Sequence, residues 1–166
     1  MSAQGKTLVA SILAAVILTA TASAQQAPSP PPITPYGAPL GLEAAKKVMA
    51  AAEAEAVKNN WAMAIVILDS TGHMVMLQKL DNTQYGSLMA AEDKAHSAIN
   101  YRRPSKVFED LVAQGGIGLR SLALRGASPL EGGIPINVDG KIVGAIGVSG
   151  GTSVQDGQVA KAGADA

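Results

Sequence analysis

The sequence contains no cysteine. Disulfides, thiolate nucleophiles, thiolate ligation of haem iron and cysteine-bound clusters are therefore excluded, and the fold must hold by packing or by association of copies. Histidine is almost as scarce, with His73 and His96 the two examples. There is no HExxH, no CxxCH and no set of three histidines, so one chain is not expected to build a closed structural zinc site. A site shared between copies stays open. An excess of charge is also missing, because 13 basic residues face 13 acidic ones. No positive field is available for a phosphate backbone, and nucleic acid is not an expected partner.

One long apolar run is present. Lys6 precedes the uncharged stretch Leu8 to Ala20, and Ala22-Ser23-Ala24 has the small-residue spacing of a cleavage site. This pattern predicts a cleavable secretory signal peptide over residues 1–24, with Gln25 as the new N-terminus. The run is short for a bilayer span, and nothing later in the sequence matches it in apolarity. A periplasmic or secreted product is expected, with a net charge near −1. Residues 25–39, QQAPSPPPITPYGAP, are proline-rich and predict an extended, unpaired arm or linker. One domain is expected over residues 40–166.

The domain reads as helices and hairpins. Leu40 to Asn60 is rich in helix formers, with apolar residues at helical spacing and Asn59-Asn60 as a stop. Trp61 to Asp69 predicts a covered strand, Ser70-Thr71-Gly72 a turn, and His73 to Leu80 the returning strand. Asp81-Asn82-Thr83 suits an N-cap for a helix over Gln84 to Asn100. A short helix opens at Pro104-Ser105, and Leu119 to Leu124 has no clean period. Asp139-Gly140 then joins the strand Ile134 to Asn137 to the strand Lys141 to Val148. A terminal helix over Val154 to Gly163 follows. Two antiparallel hairpins backed by helices make an α+β sandwich rather than a doubly wound nucleotide fold.

Among residues that could carry chemistry, His96 stands four positions after Glu92 in helical register, with Arg102 and Arg103 beyond it. An imidazole can ligate haem iron, and an arginine can pair with a propionate. Equally, Glu92 could hold His96 in an ordinary surface contact. His73 reads as a turn residue, and Glu92-Asp93-Lys94 as a mixed-charge, solvated patch. Met74, Met76 and Met89 read as core padding. Tyr85 and Tyr101 could stack on a flat ligand or simply pack. Gly144 and Gly147 within a strand read as room for a crossing helix, or for a close ligand. Backbone amides near Gly132-Gly133 and Ser149–Gly151 could take an anion. Ser149 in GVSGG mimics GxSxG but lacks the strand-elbow-helix setting of a hydrolase.

Lys94-Ala95-His96-Ser97-Ala98, Pro104-Ser105, Gly132-Gly133-Ile134-Pro135, the run Asp139 to Gly150, and Asp156 together resemble the GlcG/HbpS family. This haem-degrading-domain family is also seen as the C-terminal part of PduO-type proteins, and the likeness runs from Leu42 to Ala164. It implies a profilin-like, three-layer α/β/α domain with a central antiparallel sheet. It also implies self-association as a homo-oligomer, haem as cofactor, and partnership with an exported or membrane sensor protein. His96 replaces the tyrosine that the family motif would carry. On that basis the candidate cofactor-binding residues are His96, Arg102, Arg103, Lys94 and Tyr101, and the candidate metal ligands are His96 and Glu92. The expected function is haem binding with weak oxidative degradation. The alternative is a non-catalytic oligomeric module for a small organic acid or an exported protein.

Overall fold

The computed structural model describes residues 33–166. The expected signal peptide and the first part of the proline-rich arm lie outside the described residues. Four helices, one 3-10 helix and four strands follow in the order α1 (Leu42–Lys58), β1 (Ala64–Asp69), β2 (Met74–Lys79), α2 (Gly86–Tyr101), α3 (Lys106–Gln114), a 3-10 helix (Gly116–Ala123), β3 (Gly133–Val138), β4 (Lys141–Ser149) and α4 (Ser153–Ala164). The sheet is antiparallel throughout, in the order β2-β1-β4-β3.

β1 is central and covered on both faces, which is why its sequence is apolar without alternation. Ile65 and Ile67 point to α1 and α4, where they meet Val48, Met49, Ala52, Ile146, Val148, Val159 and Ala160. Ala64, Val66 and Leu68 point to α2 and meet Ala91, Ala95, Ala98 and Ile99. Helices on both faces of an antiparallel sheet give three layers, α/β/α. Gly147 sets the spacing of one pair of layers. A Cβ there would strike the backbone carbonyl of Ala91 and come within 2.6 Å of the Ala95 nitrogen. The strand glycine therefore serves helix packing.

Local signals close the elements. Asp139 and Gly140 have φ of 49° and 71°, as a two-residue hairpin turn with both central residues left-handed requires. The Asn59 side chain returns to the Glu55 carbonyl at 2.8 Å and ends α1. α4 opens on a capping box between Thr152 and Gln155. Two expectations are corrected. Thr83 does not cap α2, because its buried hydroxyl bonds the carbonyls of Met63 and Leu80 and ties the chain to β1. Nor is the end of the proline-rich arm unpaired. The Gly37 amide donates to the Ile142 carbonyl, the Ile142 amide to the Pro35 carbonyl, and the Leu40 amide to the Val143 carbonyl.

Candidate functional site

The candidate cofactor-binding and metal-binding residues all lie on or just after α2, but the helix distributes them around its circumference. Ala91 and Ala95 face the sheet at Gly147. Lys94 turns to the β3 side and His96 to the opposite flank, beside the β1–β2 turn. There its Nδ1 lies 4.0 Å from where a Cβ on Gly72 would stand. The imidazole is 36% exposed, and its Nε2 is 3.8 Å from Glu92 Oε1. One ring nitrogen thus faces a carboxylate and the other faces a residue with no side chain. His96 also lines a cleft of about 340 Å³ with Asp93 and the loop Gly126–Pro129.

The remaining candidates are not gathered around His96. The Arg102 guanidinium sits 4.4 Å from the centre of the Tyr36 ring, and Tyr36 anchors the arm by donating to the Ile99 carbonyl at 2.6 Å. Tyr101 donates to the Arg125 carbonyl at 2.7 Å and packs edge-on against Phe108. Arg103 lies 5.9 Å from that same Phe108 ring. These three form the C-terminal shoulder of α2.

Lys94 is corrected both as a propionate partner and as part of a solvated patch. Its side chain is 2% exposed, and Nζ donates to Asp156 Oδ2 at 2.6 Å and to the Val148 carbonyl at 3.1 Å. Gly132 and Gly133 make the passage for it. A Cβ on Gly132 would come within 3.1 Å of Lys94 Cδ, and one on Gly133 would strike the Lys94 carbonyl. The glycine loops are not an open anion cradle either. The Gly133 amide donates to Ser105 Oγ and the Gly151 amide to Asp156 Oδ1, both at 2.9 Å. Ser149 is buried. The most distinctive motif residues therefore build a clasp joining α2, the sheet and α4.

Two features near the site were not legible in the sequence. His73, as expected a turn residue, follows the Gly72 that His96 approaches from α2, and its Nδ1 is 2.7 Å from Thr71 Oγ1. Burial alone would raise the Asp69 carboxyl, but hydrogen bonds from Thr71 and the His73 amide hold it below the usual range and fix this turn. Met74 and Met89, expected in the core, are 44% and 69% exposed.

A three-layer α/β/α domain carrying one accessible imidazole on its central helix is the class that fold and site define. The chain belongs to the HbpS-like family: the model of the haem-degrading protein HbpS-like family matches residues 40–165. Protein GlcG of Escherichia coli K12 is 40% identical over 110 residues, covering 66% of this chain and 81% of that protein. The crystal structure of HbpS superposes with a TM-score of 0.70 at 30% identity, covering 78% of this chain and 90% of that one. A PduOC–haem complex shares the fold, with a TM-score of 0.68 at 22% identity, covering 76% of this chain and 94% of that one.

Proposed function

We propose that the protein is an exported haem-binding protein in which His96 ligates the iron. The donor set carries this reading. Among the described residues no three His, Asp or Glu side chains gather to hold a bare metal ion. A single half-exposed imidazole instead suits a metal that arrives with its other ligands, as porphyrin iron does. Glu92, one turn before His96, would help to hold the imidazole in orientation. The family description and the haem complex among the structural neighbours support the same ligand.

Bound haem would supply the oxygen chemistry of a weak degrading activity, and the chain's own part is to bind, orient and shield it. Export rests on the sequence of residues 1–24, and N-terminal sequencing of the secreted or periplasmic product should begin at Gln25. Self-association is part of the proposal. Ile117, Leu119, Leu122 and Leu124 are 43–77% exposed on and just after the 3-10 helix, an aliphatic patch suited to a second copy.

Haemin titration of the purified protein, followed by absorbance, tests the reading. A saturable Soret shift that His96→Ala removes is the expected result. No specific shift for the unaltered protein would overturn it. One observation favours a second reading, binding of a small organic acid. A cleft of about 400 Å³ between α1, α4 and β3 is lined by Leu40, Val48, Ile136 and Val138, with Lys47 at hand for a carboxylate and Asp165, also in the lining, paired to Lys161. Chemical-shift changes confined to that cleft on adding short-chain monocarboxylates, with haemin inert, would favour it.

A further inference from the structure

The edge strand β2 is covered on one face only. On the α1 side, Val75 and Met76 pack against the core. On the other side, α2 lies over β4, β1 and β3. The register pairs Leu68 with Met74, Val66 with Leu77, and Ala64 with Lys79. Cross-strand partners share a face, so Met74, Leu77 and Lys79 stand on the α2 side of the sheet. Among the described residues no helix buries them there: Met74 and Leu77 are each 44% exposed, and Lys79 is exposed.

The flank of α2 above this open strand is a second row. Tyr85, Met89, Glu92 and His96 follow one another at intervals of four, three and four, which places them on one helix stripe. It is the stripe turned away from Lys94 and towards β2, as the approach of His96 to Gly72 shows. Tyr85 is 86% and Met89 69% exposed. Strand row and helix row each run about 17 Å, from the residue counts and the rise per residue.

The geometry points to the trough between β2 and α2 as the haem surface, with Met74, Leu77 and Met89 against the macrocycle and Lys79 taking a propionate. This rests on the haem reading and assigns its location. Three observations select a tetrapyrrole as the occupant. The trough carries Met74, Leu77 and Met89 between its charged residues, and soft methionine side chains adapt to a flat ring. An imidazole stands at one end. An ammonium stands at the other, about the length of the trough away, with no carboxylate partner among the described residues. Arg102 and Arg103, the arginines first expected at the propionates, lie beyond the opposite end of α2, against Tyr36 and Phe108.

The test is haemin affinity, read from the Soret band, in variants on each side of His96. Leu77→Glu and Met89→Glu alter exposed positions and should each weaken binding about tenfold or more, the equivalent of losing one apolar contact area. Lys79→Glu should weaken it by a smaller factor that shrinks as salt is added. Ala127→Glu, in the cleft that His96 also lines, should weaken binding by a smaller factor than either apolar trough variant. Circular dichroism of each variant checks folding. If Ala127→Glu abolishes binding while the three trough variants match the parent, haem lies in the cleft and this assignment falls, though the haem reading stands. If the trough variants change only sedimentation and not haemin affinity, the trough is a contact between copies and the assignment also falls. If the unaltered protein shows no saturable shift, the haem reading itself fails.

Discussion

Lys94 and Asp156 are buried together, and such a pair matters most when one partner is lost. Lys94→Met would leave the Asp156 carboxylate in the interior with the Gly151 amide but no cation. The expected cost is about 3–5 kcal/mol in urea denaturation, and Lys94→Met/Asp156→Leu should recover much of it. Equal instability in the single and double variants would mean that packing at these positions, and not the charge pair, is what the fold needs. The pair was legible in principle. Ala91, Lys94, Ala95 and Ala98 fall at i, i+3, i+4 and i+7, as do Asp156, Val159, Ala160 and Gly163. A charge set within a buried stripe needs a buried partner, and one lysine and one aspartate each fall in such a stripe. The Glu92-Asp93-Lys94 triplet masks this, because neighbours in sequence do not share a helix face.

At the scale of elements, the contact between α2 and β4 depends on an absent side chain. Gly147→Ala should push α2 away from the sheet and cost about 1–3 kcal/mol, seen as a lowered midpoint in thermal denaturation. A neutral result would show that the layers can part without loss. Most elements were legible because each has a local cause: the uninterrupted apolar run of β1, the Asp139-Gly140 turn, the alanine stripes of α1 and α2. The 3-10 helix Gly116–Ala123 was not, since an eight-residue segment of this kind has no apolar period to display. The open face of β2 was not legible either. Its sequence, MVMLQK, opens with four apolar residues and shows no alternation, and which neighbour covers a strand depends on where a distant helix comes to rest.

For the whole molecule, the exposed aliphatic patch and the balanced charge favour association of copies. Leu122→Glu should shift sedimentation towards the single chain, whereas an unchanged profile would place the contact elsewhere. The clasp through Lys94 has a different consequence, which concerns time. Asp156 follows Lys94 by 62 residues and comes after all four strands, so the matching carboxylate is the last part of the clasp to join the chain. Until α4 emerges, an ammonium group must stay hydrated where the finished protein is dry. Closing the α2 layer behind Gly132 and Gly133 without α4 would bury an unpaired ammonium, so the docking of α2 and the docking of α4 are expected to be one coupled step of folding.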